Sequence, residues 1–214
     1  MAARKGSYDR RFDSGRLCLD LVATAAGSPG TADPLDRSEG LADWLVAAGA
    51  VPRGTRLDHV DDHWLVRFRQ LRSAMDRLLT AQLGGRAADG ALERVNALAA
   101  AAPPGLCAVR AGNGALVRGL STEPGCGALL AAVARDAVDL LTDPVALAGL
   151  RRCEGDHCRR VYLDTSRGRR RRWCSSEVCG NRERVARHRR RHTDPAGASP
   201  EHGGSPEHRG SPEP

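Results

Sequence analysis

Aromatic residues are scarce in this chain: two Phe, two Tyr and three Trp among 214 residues. A core must therefore be built mainly from Leu, Val and Ala. Lysine is nearly missing. Lys5 stands alone among 33 basic residues, so the use of Arg says little about selection for two-pronged recognition. No run reaches the roughly 18 uncharged apolar residues of a membrane-spanning helix, which speaks against a membrane partner. Met1 to Phe12 are polar and basic with no apolar stretch behind them. That argues against a secretion signal and for a cytoplasmic protein. Gly-rich phosphate loops, nucleophile elbows and His–carboxylate metal motifs are also missing, so no enzyme is expected.

What is present is unevenly spread. Residues 1–150 hold 17 basic and 17 acidic residues, whereas residues 151–192 hold 15 arginines against 5 acids. The whole net charge of +7 thus originates in one short segment, the pattern of a polyanion contact. Four of the seven cysteines fall in that same segment.

The pattern predicts an α+β, mainly α protein. Residues 1–13 read as a flexible N-terminus. In Ser14 to Ala26 the alternation of Leu17, Leu19 and Leu21 suits a strand and the spacing of Leu17, Leu21 and Ala25 a helix, of which the helix is preferred; Gly27 to Arg37 reads as a loop. Ser38 is placed as the cap of a helix with Leu41, Leu45 and Ala48 on one stripe, ended by Gly49. Asp58 to Leu83 repeats apolar residues at three- and four-residue spacing: Trp64, Phe68, Leu71, Met75, Leu78, Leu79 and Leu83. Asp89 to Ala101 does so with Leu92, Val95 and Leu98. Two apolar runs, from Leu106 and from Ala115, flank Ala111-Gly112-Asn113-Gly114, a hairpin signal. Gly127 to Leu141 is helical again. The expected units are a helical domain over 14–150 with one hairpin, a small finger over 151–192, and a disordered tail over 193–214. In that tail Ser-Pro-Glu recurs from Ser199, Ser205 and Ser211, and His202 and His208 read as solvated repeat residues.

Cys153 and Cys158 enclose four residues, as do Cys174 and Cys179, and fifteen residues separate the pairs. Two short pairs joined by a hairpin-length insert suit one tetrahedral structural zinc ion with all four positions filled. His157 is the alternative ligand. The insert reads as a hairpin with Val161-Tyr162-Leu163 as one strand, Arg171-Arg172-Trp173 as its return, and Thr165 to Gly168 as the turn. Trp173 either packs on the metal site or stacks on a base. Four thiolates leave a formal charge of −2 around the ion, which some arginines balance; the excess of ten is much larger.

Arg172-Trp173-Cys174-Ser175 and Cys179-Gly180-Asn181-Arg182 resemble the CGNR zinc finger family. Cys158 to Arg167 also resembles its pattern, with Tyr162 where an aromatic, often Phe, is usual. The helical part resembles the ABATE domain that commonly precedes this finger. Its opening Leu19-Asp20-Leu21-Val22-Ala23-Thr24 departs at Ala23, where the family often has Asn. The resemblance spans about residues 14–192 and implies a bacterial transcription regulator that binds DNA.

Gly180 permits an unusual turn, and Asn181 can cap a helix running to His192. At 100° per residue Arg184, Arg187 and Arg191 share one stripe. With Arg169, Arg170, Arg171, Arg172, Asn181 and Arg182 they are the candidate nucleic-acid contacts. Duplex DNA is the expected partner; RNA and an acidic protein are the alternatives. The helical domain is expected to be regulatory or to oligomerise, with an effector of unknown chemistry. Arg16, Asp20 and Thr24 form one polar helical stripe, either a surface ion pair or a small-molecule site. His59 and His63 read as solvated rather than metal-binding, and Cys18, Cys107 and Cys126 as small core residues.

Overall fold

The computed structural model describes residues 14–26, 33–156 and 158–193, with side chains to residue 190. The expectations for residues 1–13 and the tail beyond 193, for the first part of the Gly27–Arg37 loop, and for His157, His202 and His208 lie outside the described residues.

The chain is mainly helical, with two small antiparallel ribbons among the described residues. α1 (Leu17–Ala23) runs into a single tight turn, Thr24–Ala26. α2 (Ser38–Ala47), α3 (Asp62–Leu83) and α4 (Asp89–Ala99) follow. β1 (Leu106–Arg110) and β2 (Leu116–Leu120) form the expected hairpin, Leu106 opposite Leu120 and Arg110 opposite Leu116. α5 (Cys126–Thr142) and a short α6 (Pro144–Leu147) complete the larger unit. No helix among the described residues is long and apolar enough to cross a membrane.

Local chemistry sets the helix ends. α3 begins at Asp62 rather than Asp58, because the Asp61 carboxylate accepts the Trp64 N–H at 3.0 Å. A turn from Leu57 to Val60 occupies the residues before it. Ser38 lies inside α2 and caps nothing; Arg37 precedes it with no side-chain bond to the helix. α1 has no cap of its own either. Its Cys18 N–H is instead met by the Asp136 carboxylate of α5 at 2.8 Å, a cap from 118 residues away.

α3 runs through the middle, its buried face formed by Trp64, Leu65, Phe68, Leu71, Met75, Leu78 and Leu79. Against it pack α1, α2, α4 and α5. Trp44 of α2 meets Phe68 edge-on at 6.4 Å. α4 turns Ala91 and Val95 inward, while Leu92 and Leu83, both expected in the stripe, are exposed. Cys18 and Cys126 are core residues as expected; Cys107 is only half-buried, on the hairpin. That hairpin keeps Leu106, Val109, Leu116 and Val117 exposed.

The second ribbon joins the larger unit to the finger. β3 (Leu150–Arg152) pairs with β4 (Val161–Leu163), Arg151 opposite Tyr162. The expected return strand, Arg171 to Trp173, is not one: β4 already pairs with the strand before it. Leu150 and Val161 belong to the apolar core of the helical unit, so that core crosses residue 150.

Candidate metal centre and nucleic-acid interface

The β3–β4 ribbon extends by one further bond, Cys153 N–H to the Arg160 carbonyl at 2.9 Å. The Cys153 and Cys158 pair is carried at the tip of this ribbon, between Cys153 and Arg160. The Cys158 N–H donates to the Gly155 carbonyl at 2.9 Å and turns both thiols the same way. The second pair arrives alongside. Glu154 N–H donates to the Arg172 carbonyl at 2.9 Å, and Cys174 N–H to the Cys153 sulfur at 3.3 Å. A π-helical turn, Ser176–Gly180, follows, capped by the Ser175 hydroxyl at the Val178 N–H and carrying Cys179. It continues without a break into α7 (Asn181–Thr193).

The four sulfurs lie within 4.8 Å of one another. Cys158 and Cys174 are 3.7 Å apart, Cys174 and Cys179 3.6 Å. A tetrahedron of zinc–sulfur bonds of about 2.3 Å has sulfurs about 3.8 Å apart, so the donor set fits one zinc ion. Among the described residues this is the one group of three or more such side chains close enough to hold a metal. Without a cation the thiols compete. Burial and the neighbouring Cys158 push the Cys179 thiol up to about 11. Proton sharing with Cys153 and Cys158 pushes Cys174 up as well, while Cys153, receiving from both, is pushed down. Such a cluster asks for positive charge.

The surroundings assign the nearby residues. Tyr162 is fully buried against the cysteines, and its hydroxyl donates to the Arg171 carbonyl at 2.6 Å. Burial pushes that phenol up to about 12, which keeps it a neutral donor. Asp164 accepts from the backbone N–H groups of Ser166 at 3.0 Å and Arg171 at 2.9 Å. Burial opposes its charge, but the Ser166 side chain, these bonds and the Arg171 charge outweigh that and hold the carboxyl below the usual range. Trp173 packs on the metal cluster. Gly180 needs no unusual backbone angle: a Cβ there would meet the Trp173 ring at 3.3 Å, so its role is close approach.

The candidate polyanion contacts separate into two groups. Arg171 lies over the Tyr162 ring at 4.9 Å and donates to the Cys174 carbonyl at 2.5 Å. Arg172 pairs with Glu154 at 2.6 Å and lies 5.2 Å from the Trp173 ring. Arg171 is thereby engaged in holding the Cys174 knuckle; Arg172, though paired, remains exposed. Arg169, Arg170, Arg182, Arg184 and Arg187 are exposed, as is Asn181. Asn181 has helical angles and follows the π-turn, so Ser175 replaces it as the cap. The side chain of Arg191 lies outside the described residues. α7 makes its main contact with the turn that precedes it and buries neither Val185 nor any arginine described.

In the helical unit the expected polar stripe dissolves into separate structural contacts. Arg16 pairs with Asp136 at 2.9 Å, Asp20 accepts the Ser14 N–H, and Thr24 receives Arg72 at 2.8 Å. His59 pairs with Glu123 at 2.7 Å and meets Trp64 edge-on. Sequence reading missed the Arg72–Asp33 fork, Asp136 and the Tyr162–Arg171 contact, since none has a local signature.

A family model described as "Putative stress-induced transcription regulator", the ABATE family, matches residues 15–144. The CGNR zinc finger family model matches residues 150–192. No curated protein matches the chain.

Proposed function

The chain belongs to the ABATE family and carries a CGNR zinc finger, and we propose that it is a regulator that grips duplex DNA with α7. The observation that carries this is α7 itself: thirteen residues long, with Arg182, Arg184 and Arg187 exposed, and projecting from the metal centre. A helix charged nearly all round has no core to join, and its arginines suit phosphate oxygens on both walls of a groove.

Bound zinc would supply a tetrahedral cross-link between the two cysteine pairs. The chain's own residues do the rest. Ser175 caps the π-turn, Gly180 lets it close on Trp173, and Arg171 pins the Cys174 knuckle. Together they fix the direction in which α7 leaves. Arg167, Arg169 and Arg170, exposed at the Thr165–Arg170 turn, add charge beside it. The role is non-catalytic and cytoplasmic, and regulation and self-association fall to the helical unit.

The test is competition. Labelled duplex DNA bound by the zinc-loaded chain is challenged with unlabelled duplex, single-stranded RNA and an acidic polypeptide. Displacement by duplex at the lowest concentration is the expected result. Preferential displacement by RNA, or no nucleic-acid binding at all, would replace this reading with an RNA-binding finger or an acidic protein partner.

A further inference from the structure

A path of hydrogen bonds, with one step along the chain from Leu163 to Asp164, links α1 to a metal-ligating cysteine. The Asp20 carboxylate of α1 accepts the Ser14 N–H at 3.2 Å. The Ser14 carbonyl accepts the Leu163 N–H of β4 at 2.8 Å. Gly15, at φ +91°, lets the chain pass so close that a Cβ would lie 3.1 Å from the Leu163 Cβ. Next to Leu163, Asp164 is tied back to the Gly149 carbonyl at 2.8 Å and accepts the Arg171 N–H. The Arg171 guanidinium then donates to the Cys174 carbonyl, while the Tyr162 hydroxyl donates to the Arg171 carbonyl. Tyr162 and Asp164 are 0% and 2% exposed, so water cannot readily replace these bonds.

This arrangement separates Arg171 from its neighbours. Arg169 and Arg170 are exposed at a turn, whereas Arg171 is clamped at its N–H, its carbonyl and its guanidinium. We propose that Arg171 is a positioning residue that fixes the Cys174 knuckle to β4 and, through Asp164 and Ser14, to α1, so that metal binding and the order of α1 are linked. The linkage is reciprocal. Whatever steadies α1 steadies the metal site, and metal at the four cysteines steadies α1 by the same free energy. The helical unit thereby has a route to α7 through packed residues rather than across a flexible linker.

Amide hydrogen exchange of the full chain, zinc-loaded and after chelation, tests this in the wild type, Tyr162→Phe and Arg171→Gln. Chelation is expected to speed exchange at Leu17–Ala23 in the wild type, with mid-α4 amides as the internal reference. In both variants that difference shrinks. Zinc affinity, read by competition with a chromophoric chelator, falls about tenfold in each, and Arg169→Gln leaves it unchanged. Unchanged α1 exchange on chelation, a comparison that needs no variant, overturns the linkage. Wild-type zinc affinity in Arg171→Gln, with a duplex-DNA salt slope lower by ~0.9, makes Arg171 a phosphate contact and overturns the positioning role. The exchange and zinc measurements involve no nucleic acid, so failure to bind DNA sinks the proposed function and leaves this inference standing.

Discussion

The Leu163 N–H donates to the Ser14 carbonyl at 2.8 Å, joining a strand of the finger to the residues that open the helical unit. Beside this bond Leu150 and Val161 complete the apolar core that α1, α3 and α5 build. The helical unit therefore needs residues from beyond its nominal end. A chain stopped after Leu150 loses the buried Val161, the Leu163 cover and this bond. It is expected to be about 2–4 kcal/mol less stable than the zinc-loaded full chain. A chain stopped after Thr165 keeps β4 and should recover part of that loss. Urea midpoints check both, and equal midpoints for all three would mean the two units do not share a core.

Acid should weaken the molecule at an identifiable clamp. Arg72 of α3 grips both oxygens of Asp33, at 2.8 and 2.7 Å, and bonds Thr24 as well. It thereby ties the residues after α1 to those before α2. Burial would raise the Asp33 carboxyl, but the Arg72 fork and the Leu35 N–H outweigh it and hold the group below the usual carboxylate range. A carboxyl depressed in the folded state binds protons more readily when unfolded. Its stabilisation is complete above its unfolded value of about 3.9 and is lost as pH falls through the folded value. Asp33→Asn is expected to cost about 1–2 kcal/mol at neutral pH. The gap from wild type should close below about pH 4. A gap that persists at acid pH would show that charge at Asp33 is not the cause.

The purified chain is expected to contain one zinc ion, and Cys174→Ser to lose most of it. The finger has little apolar core of its own beyond Tyr162 and Trp173. Metal binding, about 10 kcal/mol or more in such sites, is therefore most of its folding energy. Chelation should abolish exchange protection over residues 171–180 while the middle of α3 stays protected. Elemental analysis showing no metal, with the finger still protected, would remove zinc from the account.

Much of this was legible in the sequence, for reasons that differ by element. The stripe of α3 and the Ala111–Gly114 turn follow from spacing and turn chemistry that operate within a few residues. The four cysteines were legible because thiolates that share a metal must come in close pairs. What stayed hidden is non-local. Leu150-Arg151-Arg152 carries no strand signal of its own, since nothing in three residues says that Val161 will pair with it. Asp136 caps α1 from 118 residues away. Arg171 is indistinguishable from Arg169 and Arg170 in a run of four arginines. Only the fold tells that one is clamped and two point to solvent.

On α7, Arg184, Arg187 and Arg191 recur at three- and four-residue spacing and therefore lie along one side of the helix. Arg184 and Arg187 are exposed. If this side faces a DNA backbone, replacing all three by Ala should lower affinity by nearly the same factor for every sequence, because phosphates carry no base identity. Each lost contact should reduce the log–log salt dependence by ~0.9, so three reduce it by roughly 2–3. Zinc content should stay at the wild-type level, since none of the three is a metal ligand; Arg184 donates to the Ser176 carbonyl at 3.4 Å. Asn181 and Arg182 adjoin Cys179, and their replacement should loosen the knuckle before it alters the slope. Titrations of wild type and triple variant at several salt concentrations decide the matter. An unchanged slope with zinc intact would mean that this side of α7 does not meet phosphate, and an acidic protein partner would become the better reading of its charge.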